Sequence, residues 1–313
     1  MTGPVIIVGG AGFIGTALAQ ALNARGTPVR VLDRPHRLER SAHLLTDIEQ
    51  AVFEFPDTLG IERHLQGASA LIHLTCTSTP SSSMQSLRRD ADENIAPSVT
   101  LFEAAGAAGV QKVFFASSGG TVYGDTDHVP IIEKTPLAPL SGYGASKVAI
   151  ESYLQLAARR DGFCGVNMRI ANPYGPYQLS GAPIGIIARY MTLIAKGEPL
   201  TVWGDGEIIR DYIHIDDTTR AILALLDQED LPSGAYNVGS STGVSIKDII
   251  ETLSKITNTQ PKIDFTPARG FDVHRIVLDT DKITQATGWM PQISLLDGTA
   301  DLWDVLQTKL KQA

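Results

Sequence analysis

The strongest constraint on this chain lies at its start. Val5-Ile6-Ile7-Val8 is an apolar run suited to a strand buried on both faces, and Gly9, Gly12 and Gly15 follow it in the spacing G-x-x-G-x-x-G. A helical pattern runs on from about Phe13 to Arg25. In such a strand–turn–helix the first glycine permits a tight turn and the second lets the backbone approach a pyrophosphate. The third lets helix and strand pack closely, while the helix N-terminus offers unpaired N–H groups to the anion. Glycines alone also occur in ligand-free turns, but here a strand precedes them and a helix follows. The next strand run, Val29-Arg30-Val31-Leu32, ends at Asp33, where a carboxylate can accept a ribose 2′-hydroxyl. That carboxylate would repel a 2′-phosphate, so it favours NAD; Arg34 beside it reads as a solvated loop arginine.

Further short apolar runs alternate with helical patterns. Ala70–Leu74, Lys112–Ala116 and Gly165–Ile170 read as strands, with a long helix through Asn94 to Ala108. Strands alternating with helices imply parallel pairing through right-handed crossovers. The expected fold is α/β, a Rossmann-type doubly wound parallel sheet over residues 1–172. After Asn172 the texture changes to a loop rich in Gly, Pro and Ser, then to shorter elements, with helical patterns near 186–195, 217–226 and 246–256. We read 173–313 as a smaller α/β substrate-binding lobe, some of whose strands and helices return to the first domain.

The 313 residues are 43% hydrophobic and 19% charged, an ordinary globular composition, with a formal net charge of -8. An acidic chain has no general reason to gather on nucleic acid or on an anionic membrane. No apolar run reaches the roughly 20 residues a membrane helix needs, and the N-terminus lacks a basic start with a cleavable apolar core. The two cysteines, Cys76 and Cys164, suggest neither a disulfide framework nor a metal site. The expectation is a cytoplasmic protein with reduced thiols and no metal.

Tyr143-Gly-Ala-Ser-Lys147 places a phenol and an ammonium four residues apart, on one face of a helix. A free tyrosine, with a pKa of about 10, is a poor base at neutral pH. A nearby lysine and an oxidised nicotinamide, both cationic, would stabilise its phenolate. A lone Y-x-x-x-K is more often a surface pair. Here Ser118 stands twenty-five positions before Tyr143, just past a strand whose C-terminal end is where ligands sit in such sheets.

Together these residues resemble the extended short-chain dehydrogenase/reductase family, most closely its UDP-glucose 4-epimerase-like members, nearly end to end. The resemblance assigns cofactor contacts to Gly9, Gly12, Phe13, Ile14, Gly15, Asp33, Arg34, Leu74, Thr75, Asn94, Ser117, Tyr143 and Lys147. Glu54-Phe55 stand where the family usually has Gly-Asp against the adenine. Ser118, Tyr143 and Lys147 fit the catalytic set. Counting back from Tyr123 would instead put Gly119 at the catalytic hydroxyl, so Ser117 and Thr121 stay open as alternatives to Ser118. Arg169-Ile-Ala-Asn172-Pro-Tyr-Gly-Pro176 resembles the nucleotide-sugar loop. By similarity Asn172, Arg210 and Arg269, the last with Asp272, would grip the diphosphate-sugar, and Val202 and Trp203 would lie near the base; two guanidinium forks suit phosphate oxygens.

What the resemblance implies is an NAD-dependent isomerase. Dehydratase relatives carry Asp-Glu at the positions of Gly119 and Gly120, and decarboxylating relatives a Glu at 120. Two glycines leave nothing to ionise there, which argues for the simplest sequel to oxidation at C4: re-reduction on the other face, a UDP-hexose 4-epimerase. The alternatives are a nucleotide-sugar 4,6-dehydratase, decarboxylase or 4-keto-reductase, and outside enzymes an NAD-sensing scaffold. Asn172-Pro173-Tyr174 argues against a uronic-acid epimerase. The Ala- and Leu-rich helices around 91–108 and 143–160 resemble those that pair as a four-helix bundle in homodimers.

Overall fold

The computed structural model describes residues 3–180, 185–268 and 273–312. Among these residues twelve strands are formed: β1 (Val5–Val8), β2 (Val29–Asp33), β3 (Glu49–Val52), β4 (Ala70–His73), β5 (Lys112–Ser118), β6 (Cys164–Ile170), β7 (Asn172–Tyr174), β8 (Leu200–Trp203), β9 (Ile209–His214), β10 (Gly234–Val238), β11 (Gly243–Ser245) and β12 (Ile263–Thr266). Seven make one sheet in the order β10-β6-β5-β4-β1-β2-β3, and every pair in it is parallel. The chain therefore winds outward in both directions from β1, the doubly wound arrangement that the alternating elements predict.

The apolar runs explain why. In a strand successive side chains point to opposite faces. Val5 and Ile7 accordingly enter one core, with the helix Phe13–Ala24 and helix Ile215–Asp227. Ile6 and Val8 enter a second, with Leu101, Phe102, Ile150 and Leu154 of the helices Leu87–Ala107 and Gly142–Asp161. A strand buried on both faces has no reason to alternate polar and apolar residues.

A third core gathers the remaining elements. Tyr174, Leu200, Val202 and Tyr212 meet Ile187, Met191, Ile249 and Leu302 from the helices Ile186–Lys196, Ile246–Thr257 and Leu295–Gln312. Two small sheets, β11-β9-β7 and β12-β8, frame it. The chain moves between these bodies more than once, because β10 returns from the later region to pair with β6.

One strand reading needs correction. β5 does not stop at Ala116 but runs through Ser117 and Ser118, paired with Arg169 and Ile170 of β6. The serines are thus sheet residues held in register, not members of a free turn. Glu54 is exposed, beyond β3, while Phe53 and Phe55 on either side of it are buried.

Candidate active site

Above the C-terminal ends of β1, β2 and β4 lies a cavity of about 290 Å³. Gly9, Gly12, Phe13, Ile14, Gly15, Asp33, Arg34, Phe55, Leu74 and Thr75 line it. Two glycines are required by the backbone. Gly9 has φ +85° and a Cβ there would stand 2.8 Å from the Thr75 methyl; a Cβ on Gly15 would stand 2.5 Å from the Gly10 Cα. No side chain caps the helix that begins at Phe13, so its first N–H groups are left for a ligand. These features fit a dinucleotide pyrophosphate.

Asp33 is 4% exposed. Its carboxylate accepts the Arg34 N–H at 2.8 Å and the Ala11 N–H at 3.1 Å, tying β2 to the glycine turn. Burial pushes its carboxyl above the usual range, opposed by the Arg34 N–H, the Arg37 guanidinium and the Ala11 N–H. Arg34 is not the solvated arginine expected. It is half-buried, and its guanidinium donates to the Phe55 carbonyl, closing the cavity over β3. Glu54 does not line the cavity; Phe53, Arg37, Cys76 and Thr77 do, and the sequence reading missed them.

The end of β4 is held from behind. His73 is fully buried, 5.3 Å from the Phe55 ring and 5.4 Å from that of Phe115. Ser98 donates its hydroxyl to the Asn94 carbonyl at 2.6 Å. The 2.9 Å contact between His73 Nε2 and Ser98 is therefore a bond that Nε2–H donates. Nδ1 is left to accept the Thr75 hydroxyl at 3.0 Å, which turns the Thr75 methyl toward Gly9. Asn94 is not in the lining of this cavity. Its amide clamps the Thr77 backbone N–H and hydroxyl, both at 3.0 Å, so it acts on the cofactor cavity through Thr77.

The catalytic candidates come together at the end of β5. The Ser141 hydroxyl caps the helix Gly142–Asp161 by accepting the Gly144 N–H at 3.1 Å, which fixes Tyr143 in the first turn and Lys147 one turn later. Tyr143 and Ser118 face one cavity, and the Ser118 hydroxyl acts on the phenol across it. Lys147 is 3% exposed and donates to the Ala116 carbonyl at 2.7 Å, with its ammonium 5.4 Å from the Tyr143 ring centre. Burial pushes the phenol above its ordinary value, helped by the fields of Cys76 and Asp90 and opposed by the Ser118 hydroxyl. Burial likewise pushes Lys147 down, opposed by Cys76, Glu151 and Asp90. Both groups are thus driven toward neutrality, and the phenolate stabilisation expected from Lys147 is outweighed by desolvation in the protein alone.

Among the alternative hydroxyls, Ser117 donates to Glu151, away from Tyr143. Thr121 lines the same cavity as Ser118, and its hydroxyl is buried without a partner among the described residues. That cavity, of about 350 Å³, is lined by Ser118, Gly120, Thr121, Tyr143, Asn172 and Arg210. Asn172 donates to the Asp211 carbonyl at 2.9 Å. Asn172 and Arg210 also line a neighbouring cavity of about 310 Å³, whose walls include Tyr190, Trp203, Tyr212 and Ile246. Trp203 is 41% exposed at this second cavity, but Val202 is 1% exposed inside the third core, so its side chain cannot reach a base. Arg269 and Asp272 lie outside the described residues. Among those described, no group of acidic, His or Cys side chains could hold a metal, and no helix is long and apolar enough to cross a membrane.

The sheet, the glycine turn and the paired cavities define a dinucleotide-dependent enzyme fold with a substrate groove beside the cofactor. Residues 5–239 match the model of the NAD dependent epimerase/dehydratase family. A dTDP-4-dehydro-6-deoxyglucose reductase of Escherichia coli is 32% identical, over 97% of this chain and 98% of its own length. The UDP-glucose 4-epimerase of Thermotoga maritima, solved with UDP-glucose, superposes with a TM-score of 0.89 at 30% identity, covering 98% of this chain and 99% of that one. That of Thermus thermophilus, solved with NAD, gives 0.87 at 28%, covering 97% and 99%. The chain belongs to the NAD-dependent epimerase/dehydratase family of extended short-chain dehydrogenases/reductases, and its cofactor is NAD.

Proposed function

We propose that this protein is a UDP-hexose 4-epimerase, of the UDP-glucose/UDP-galactose type. The observation that carries the reading is the chamber around Tyr143. Ser118 and Tyr143 open into one cavity with Asn172 and Arg210, and the adjoining positions 119 and 120 are glycines. Such a chamber serves one proton transfer and offers no ionisable group there for a second.

NAD, when bound, supplies a reversible hydride acceptor. Gly9, Gly12, Gly15 and the start of the Phe13–Ala24 helix would hold its pyrophosphate, and Asp33 its adenosine ribose. Ser118 orients the sugar 4-hydroxyl toward Tyr143, whose oxygen takes that proton and later returns it. Lys147, fixed by the Ala116 carbonyl, places a positive charge beside the phenol. The buried phenol needs such help, because its surroundings raise rather than lower its pKa. Asn172 and Arg210, shared by the two cavities, bind the diphosphate and bring the base toward Trp203. Thr121 offers a further hydroxyl to the sugar. Arg269 and Asp272 complete the grip in this reading.

The same reading makes the protein a homodimer through a four-helix bundle. Leu87 at 58% exposed and Leu156 at 57%, with Tyr153, leave an apolar surface on the helices Leu87–Ala107 and Gly142–Asp161.

A panel of UDP- and dTDP-sugars, followed by NMR with NAD supplied, tests the proposal. UDP-glucose and UDP-galactose should interconvert with no net change in NADH. Failure to interconvert any 4-epimeric pair refutes it. The E. coli relative favours a second reading, a 4-keto-reductase; stoichiometric NADH consumption by a 4-keto sugar would select it.

A further inference from the structure

The helix that carries Tyr143 and Lys147 carries a further polar residue on the same face, and it is buried. Glu151 is two turns beyond Tyr143 and 4% exposed. Each of the three meets one of three consecutive residues at the end of β5. Tyr143 lines one cavity with Ser118, Lys147 donates to the Ala116 carbonyl at 2.7 Å, and Glu151 accepts the Ser117 hydroxyl at 2.5 Å. The carboxylate is not left uncompensated. Arg169, 5% exposed and paired with Ser117 in the sheet, donates to it through Nη2 at 2.7 Å and Nε at 3.1 Å. Arg169 also donates to the Tyr123 hydroxyl and the Glu133 carbonyl, both at 3.0 Å.

A buried ion pair adds little net stability over an apolar pair of the same shape, so stability alone does not account for this one. Its placement does. Ser117 lies between the residue that holds Lys147 and the residue that faces Tyr143, so whatever fixes Ser117 fixes both neighbours.

We propose that Glu151 is a positioning residue for the chemistry at Tyr143: by accepting the Ser117 hydroxyl it locks the end of β5 against the catalytic helix, and Arg169 neutralises it there. The inference rests on Tyr143 and Ser118 acting as proposed above.

Two double variants isolate the hydrogen bond from the charge. Glu151→Gln with Arg169→Met removes the ion pair but keeps an acceptor for Ser117. Glu151→Ala with Arg169→Met removes both. Thermal unfolding and bound NAD content establish that each is folded and loaded. The Gln variant should keep kcat within about 3-fold of the parent, and the Ala variant should lose about 10-fold or more, since small misplacements of reacting groups are costly. KM should change little in either, because Asn172 and Arg210 are untouched.

A second readout does not depend on knowing the substrate. The ultraviolet absorbance of the Tyr143 phenolate, taken as the difference from Tyr143→Phe, is followed against pH in the NAD-loaded protein. The groups facing Tyr143 are Lys147 on its own helix, Ser118 of β5, Cys76 after β4, Asp90 of the Leu87–Ala107 helix and, across the cavity, Arg210 of β9, and none is altered by the variants. Loosening Ser118 weakens a hydroxyl that favours the phenolate, so the Ala variant should titrate at higher pH than the Gln variant. A folded, NAD-loaded Ala variant with the parent's titration, and with the parent's kcat where there is turnover, overturns the proposal. A parent that epimerises nothing overturns the functional reading alone and leaves the titration to decide the positioning role.

Discussion

Lowering the pH tests how tightly the end of β4 is built. His73 is wholly buried, donates through Nε2–H to Ser98 and accepts the Thr75 hydroxyl at Nδ1. Burial first, and the Lys147 ammonium second, hold its pKa at about 3 instead of the ordinary 6.5. The unfolded chain takes up a proton here as the pH falls through 6.5, whereas the folded chain does not until about pH 3. The stability supplied by the neutral ring is therefore complete above 6.5 and is lost progressively below it, at about 1.4 kcal/mol per pH unit. The full loss approaches roughly 5 kcal/mol, of which roughly 2 kcal/mol falls between pH 6.5 and 4.5. The assay compares urea unfolding of the parent with that of His73→Gln, whose amide can still donate and accept but does not titrate. The parent's stability relative to the variant should drop by that roughly 2 kcal/mol between the two pH values. Parallel loss in both proteins would refute the argument, since it would mean that the ring titrates alike in folded and unfolded chains.

Tyr143→Phe should retain NAD and lose about 10²-fold or more in turnover, measured as epimerisation of the best substrate of the panel; near-normal turnover removes Tyr143 from its role. The two glycines beyond Ser118 should respond differently to alanine. At Gly119 a Cβ would stand 2.5 Å from a Leu278 methyl, whereas at Gly120 nothing lies closer than 3.9 Å. Gly119→Ala should therefore cost about 1–3 kcal/mol and Gly120→Ala less than about 0.5 kcal/mol in thermal or urea unfolding; equal effects would contradict the packing. Gly9→Ala forces an alanine to φ +85° against Thr75 and should leave the purified protein depleted of NAD by absorbance. The proposed homodimer predicts a dimer mass for the parent by light scattering and a monomer for Leu156→Glu; a monomeric parent refutes the dimer, and an unchanged dimer mass in the variant removes this helix from the contact.

The central sheet was legible because β1 and β2 announce themselves twice, as apolar runs and as the flanks of a glycine turn. Tyr143, Lys147 and Ser118 were legible as a spacing. Glu151 was not, although it repeats the Tyr143–Lys147 interval once more, since its partner Arg169 is brought to it only by the pairing of β5 with β6. Asp90 was missed for the same reason. It is 3% exposed and accepts the Ser146 hydroxyl from the opposite helix and the Ser78 hydroxyl from the loop above, a convergence that no local pattern encodes. Val202 misled because motif position says which residues are near a ligand, not which way a side chain turns, and Arg34, read as solvated, is half-buried against the Phe55 carbonyl. Burial decided both.

The return of β10 to the main sheet governs how this protein can be cut. A fragment ending at residue 172 would contain the whole glycine turn and the catalytic helix, yet it would lack the strand that covers β6. The bared edge, Cys164–Ile170, is mostly buried in the intact protein, and such an edge is a template for adding strands from other chains. Expressed alone, that fragment is a candidate for aggregation rather than a minimal cofactor-binding module. A circular permutant that moves β10 ahead of β1 would keep the edge covered within one polypeptide.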